Sequence, residues 1–147
     1  MSSAGMPRPR AMSDLTQGTS TTVRNIGVAM FTVADVDAAI AFYTEKLGYE
    51  LRADVTFGPE GQQSRWVEVA PPGSTGRLAL NPPMGNQPGG GGIGVETPDA
   101  QAEYERLKDV EGVTIDSPPM EVPGAPKLFM MRDPDGNHIA VVETPAA

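Results

Sequence analysis

The second half of this chain repeats the first at a fixed offset of 64 positions: Asp35 answers to Asp99, Ala38 to Ala102, Ile40 to Tyr104, Tyr43 to Leu107, Gly48 to Gly112 and Leu51 to Ile115. Each copy reads as a strand, an acidic helix start, an amphipathic helix of about three turns, a glycine stop and further strands. A unit of this size cannot bury both of its faces alone. The two copies must pack together, and the surface between them is the natural place for a ligand.

Within the first copy, Asn25 to Val33 is mostly apolar and bounded by turn chemistry, which predicts a strand buried on both sides. Asp35 and Asp37 stand where a helix start wants acceptors and negative charge. Val36, Ile40, Tyr43 and Leu47 then share one helical face, and Gly48 ends the helix. From Tyr49 to Phe57, Leu51, Ala53 and Val55 alternate with polar residues, predicting a strand with one apolar face. The turns Gly58–Gly61 and Pro71–Gly73 separate two more strands, Arg65–Ala70 and Arg77–Asn81.

In the second copy Ile93–Glu96 reads as a strand, Thr97 as the helix cap and Pro98 as the first helical residue. Ala100, Tyr104, Leu107 and Val110 form the buried helical face. Val113–Asp116, Lys127–Arg132 and Asn137–Glu143 are the remaining strands, the last two joined by the tight turn Asp133-Pro134-Asp135-Gly136. The Pro-rich stretch Ser117–Pro126 reads as a loop over a cup edge, and Met120, Met130 and Met131 as gap-fillers. The organisation is a disordered tail 1–22, a first βαβββ module 23–82, a Pro/Gly linker 83–92 and a second module 93–147. The run Gly89–Gly92 opens a strand rather than a helix and lacks a following Lys-Ser/Thr pair, so it reads as a flexible connection and not a phosphate cradle.

Composition narrows the chemistry. A net charge of -8 leaves no basic surface for nucleic acid or an anionic membrane, and better suits a cationic or polar neutral ligand. Without cysteine there is no disulfide framework, thiolate site or cysteine nucleophile, and a reducing, cytoplasmic setting is the default. No stretch reaches the ~20 apolar residues of a membrane span. With one histidine, and no Asp/Glu cluster at ligand spacing, an ordinary catalytic metal site has too few donors.

The words Val33-Ala34-Asp35-Val36, Phe42-Tyr43-Thr44-Glu45-Lys46-Leu47-Gly48 and Arg132-Asp133-Pro134-Asp135-Gly136-Asn137, set in matching halves, resemble the vicinal oxygen chelate superfamily. That group includes glyoxalase I, extradiol dioxygenases, methylmalonyl-CoA epimerase and the bleomycin resistance proteins. The resemblance implies an α+β fold of two tandem βαβββ modules forming a half-open eight-stranded barrel, in a homodimer with or without exchanged modules. It also implies a divalent metal in the cup of the enzyme members, held from the first and last strand of each module. The corresponding positions here are Val28, Ala79, Gly92 and Ala140, and none can coordinate a metal.

With those positions placed inward, strand alternation assigns further side chains to the cup. Val28, Met30, Thr32, Trp66, Glu68, Arg77, Ala79, Gly94, Glu96, His138 and Ala140 are the candidate pocket. Trp66 is either core filler or a stacking platform; His138 is a solvated edge residue or a proton carrier. Glu96, if buried, would have a raised pKa and could act as a base or hold a ligand amine. The expectation is a metal-independent, cofactor-free binder of a small organic molecule, as drug-sequestering resistance proteins are. The alternative is a metal-free lyase or isomerase using Glu96, Glu68 or His138; glyoxalase I or extradiol dioxygenase activity is not expected.

Overall fold

A computed structural model describes residues 20–145, so the expected tail 1–22 falls almost wholly outside the described residues. The first module runs β1 (Val28–Thr32), α1 (Val36–Ala41), β2 (Glu50–Phe57), β3 (Ser64–Ala70) and β4 (Arg77–Asn81). The second runs β5 (Gly92–Thr97), α2 (Ala100–Leu107), β6 (Thr114–Met120), β7 (Leu128–Arg132) and β8 (His138–Glu143). Each module makes one four-stranded sheet, in the orders β1-β4-β3-β2 and β5-β8-β7-β6, with the first and last strands of each module parallel. The α+β tandem repeat forms a half-open, not a closed, barrel.

The repeat is visible in the caps. Asp35 accepts from Ala38 N at 3.0 Å and Asp99 accepts from Ala102 N at 3.0 Å, the same capping bond in both copies. Thr97 is therefore not the helix cap; it closes β5, and its hydroxyl accepts from Asp99 N. The first helix ends differently from the second. Phe42–Lys46 form a π-helical turn closed by Leu47 N to Phe42 O at 3.1 Å, and Phe42 is buried beside Tyr43.

Helices cover one face of each sheet, where Phe31, Leu78, Leu80, Val67 and Val69 join Phe129, Met131, Ile139 and Val141 in one core spanning both modules. The other faces are open. β1 is thus buried on one side only, since Met30 is 60 % exposed. The even alternation of β2 also breaks, because a bulge at Arg52 sets Leu51 opposite Val69 but Ala53 opposite Glu68, on the other face. β6 continues through Ser117-Pro118-Pro119-Met120, which an edge strand tolerates because one side needs no N–H donors. The loop is correspondingly shorter. Met131 fills the core, whereas Met120 is exposed.

The modules are locked where the end of β1 meets the start of β5. Asn137, fully buried, donates to Thr32 O at 3.2 Å and accepts from Gly91 N at 3.0 Å. The glycine run is no slack connection. A Cβ on Gly91 would lie 2.6 Å from the Phe31 ring, and Gly89 has φ +84° with Asp135 O filling the space a Cβ would need.

Candidate functional site

Strand register defines the open faces, because residues directly opposite in a ladder point the same way. In the first module Val28 stands opposite Arg77, Met30 opposite Ala79, Ala79 opposite Glu68 and Val55 opposite Trp66. Thr32 pairs with Asn81 on the same face. In the second, Gly92 faces His138, Gly94 faces Ala140 and Glu96 faces Val142. Val28, Ala79, Gly92 and Ala140 thus share the faces turned away from the helices with the other candidate residues, although Ala79 is fully buried there. Among the described residues no three His, Asp or Glu side chains converge on a point, so the donor set does not fit a chelated metal.

A cavity of about 680 Å³ opens between the modules, at the end where the start of β1 and β4 approaches the end of β5. That volume suits a drug-sized organic molecule. It takes in Val28, Arg77, Gly94 and Glu96 from the candidate set. Met30, Thr32, Trp66, Glu68, Ala79, His138 and Ala140 lie outside its walls, farther along the same strands. Sequence reading missed Tyr49 and the turn Pro71–Gly76, which close the cavity from below. Tyr49 follows the glycine stop of α1 directly, the one sequence signal that could have placed it at the module junction. Burial pushes the Tyr49 phenol well above the ordinary tyrosine range, keeping it neutral.

The bulge on β2 shapes this wall. Arg52, the extra residue, donates from Nη1 to Ser74 O at 2.9 Å and from Nη2 to Pro71 O at 3.0 Å. One guanidinium thereby ties down both ends of the turn.

Beside the cavity a polar cluster is already assembled. Glu68, 13 % exposed at its side chain, accepts from Trp66 Nε1 at 3.0 Å through Oε2, and its Oε1 lies 2.9 Å from Arg77 Nε. Both carboxylate oxygens are engaged, which disfavours Glu68 as a general base. Glu96 is exposed in the single chain. His138 is exposed as well. The three proton-transfer candidates do not converge: Glu68 sits on β3, Glu96 at the end of β5 and His138 at the start of β8. Gly94 leaves open space where a side chain would stand.

A family profile, Glyoxalase/Bleomycin resistance protein/Dioxygenase superfamily, matches residues 25–141. The chain belongs to this superfamily. A member of it from Sphaerobacter thermophilus DSM 20745 superposes with a TM-score of 0.75 at 32 % identity, over 84 % of this chain and 100 % of that one. TnmS3, an antibiotic binding protein from Streptomyces sp. CB03234, superposes with a TM-score of 0.71 at 30 % identity, over 86 % and 100 %. YetH, an uncharacterized protein of Bacillus subtilis (strain 168), is 32 % identical over 118 residues, 78 % of this chain and 94 % of its own length. Among the described residues no helix is long and apolar enough to cross a membrane.

Proposed function

We propose that this superfamily member binds a small organic molecule without a metal, sequestering a drug or metabolite in the cytoplasm. One observation carries the reading. The four positions where relatives by resemblance hold a metal are Val28, Ala79, Gly92 and Ala140, which stand on the sheet faces turned away from the helices, beside a cavity of about 680 Å³. A bowl with no ligand set for a metal holds no metal Lewis acid, but it still removes apolar ligand surface from water. The likeness to an antibiotic binding protein supports the same function class.

The chain works as a homodimer in this reading. Met30, Val55 and Phe57 leave an apolar strip on the open face of the first sheet, each half exposed or more, and a second copy laid across it would cover the strip and deepen the cup. Metal-free lyase or isomerase chemistry is the weaker reading, because Glu68 is occupied and Glu96 and His138 are exposed and apart. Elemental analysis of purified protein, with mass spectrometry of whatever co-purifies, tests the proposal. The expected result is substoichiometric metal and a bound organic molecule; stoichiometric zinc, nickel, manganese or iron would overturn it.

A further inference from the structure

The cavity between the modules has a charge arrangement that its acidic chain would not suggest. Of the described residues lining it, Arg77 is the only cation and Glu96 the only carboxylate, in a chain of net charge -8. They stand on opposite modules, Arg77 opening β4 and Glu96 near the end of β5. The remainder of the wall is mostly apolar or glycine, including Val28, Gly94 and Val142.

Arg77 is held rather than loose. Its Nε lies 2.9 Å from Glu68 Oε1, and Glu68 is in turn fixed by the Trp66 indole N–H at 3.0 Å. With Nε paired to that carboxylate, Nη1 and Nη2 are the remaining nitrogens of the planar fork. Nη2 lies 3.8 Å from where a Gly27 Cβ would stand, and Gly27 is itself a wall residue. A guanidinium immobilised on one edge presents its other N–H groups to an acceptor at little further entropic cost. Glu96 offers only acceptors, and so reads a donor.

We infer that the cavity selects a ligand with an acceptor oxygen at one end, carboxylate or carbonyl, read by Arg77, and an amine or hydroxyl donor at the other, read by Glu96, with an apolar body between. This rests on the ligand-binding reading above and specifies its substrate class. Glu68 and Trp66 are positioning residues that hold Arg77.

Calorimetric titration of the full chain with three naphthalene probes tests it: naphthoate, naphthylmethylamine, and the aminomethyl-naphthoate bearing both groups at opposite ends. The doubly substituted probe should bind tightest. Arg77→Met should weaken naphthoate and the double probe about tenfold or more and leave naphthylmethylamine unchanged. Glu96→Gln should do the converse. The double variant Glu68→Gln/Arg77→Met, which leaves no unpaired carboxylate, should show the same loss as Arg77→Met and so exclude misfolding as its cause. Binding of all three probes with neither variant altering their order would overturn this inference alone. Failure of every probe to bind at millimolar concentration would overturn the ligand-binding reading and this inference with it.

Discussion

Tyr43 Oη donates a 2.9 Å hydrogen bond to Asp133 Oδ2, tying the helix of the first module to the last hairpin of the second across 90 positions of chain. Both groups are buried, Asp133 to 3 % exposure. The carboxylate also accepts from Asn137 Nδ2 at 3.0 Å and from the backbone N–H groups of Asp135 and Asn137 at 2.9 Å. Asp133→Ala would leave those four donors unmatched and should cost about 3–5 kcal/mol of stability, whereas Tyr43→Phe, removing one donor to a charged acceptor, should cost about 1.5–3 kcal/mol. Urea denaturation checks both.

The same bond predicts an alkaline weakness. Burial, then the nearby Asp133 charge, pushes the Tyr43 phenol far above its ordinary value, and burial does the same to Tyr49. A raised acid holds its proton longer folded than unfolded, so this stability is fully present below about pH 10 and is lost progressively above it. Tyrosinate absorbance should therefore rise together with unfolding, and Tyr43→Phe should flatten the pH dependence of the urea midpoint.

Two glycines three positions apart should respond oppositely. Gly91→Ala drives a methyl to 2.6 Å from Phe31 and 3.0 Å from Asn137 Oδ1 at the module lock, and should destabilise by about 1–3 kcal/mol. Gly94→Ile meets open space in a strand that suits β-branched residues, so its thermal midpoint should stay near that of the parent. Its side chain would fill the cavity, and probe binding measured by calorimetry should fall at least tenfold.

Arg52 offers a test of the wall at a distance from any ligand. Arg52→Ala releases the carbonyls of Pro71 and Ser74, so hydrogen exchange across residues 71–76 should accelerate. Ligand affinity should drop several-fold through a faster off-rate, as expected when a wall that was preformed must instead be ordered on binding. Stopped-flow measurement of association and dissociation separates the two rates.

The βαβββ order, both helices and most strands were legible because period and caps are local signals, and the repeat doubled each of them. Reading Thr97 as the cap ignored what the repeat itself implied, since Asp99 occupies the place of Asp35. The bulge at Arg52 was hidden because a period-two pattern says nothing of an extra residue until a partner strand is present. The role of Gly89 and Gly91 was equally hidden, since close approach of Asp135 and Phe31 from other elements decides it. Asp133 read as a turn residue and Asn137 as the first residue of the last strand; their buried bridging of the modules depends on Tyr43 and Thr32, far away in sequence. For the site, alternation grouped side chains by face. It could not show that the cavity lies at one end of those faces, because Tyr49 and the turn Pro71–Gly76 close it from outside the strands.

Naphthoate titration of the protein in excess chelator tests metal-independent binding most directly. Metal-independent binding gives the same saturable affinity before and after chelation, and its loss in Gly94→Ile. Affinity that vanishes on chelation and returns with added divalent cation would contradict it.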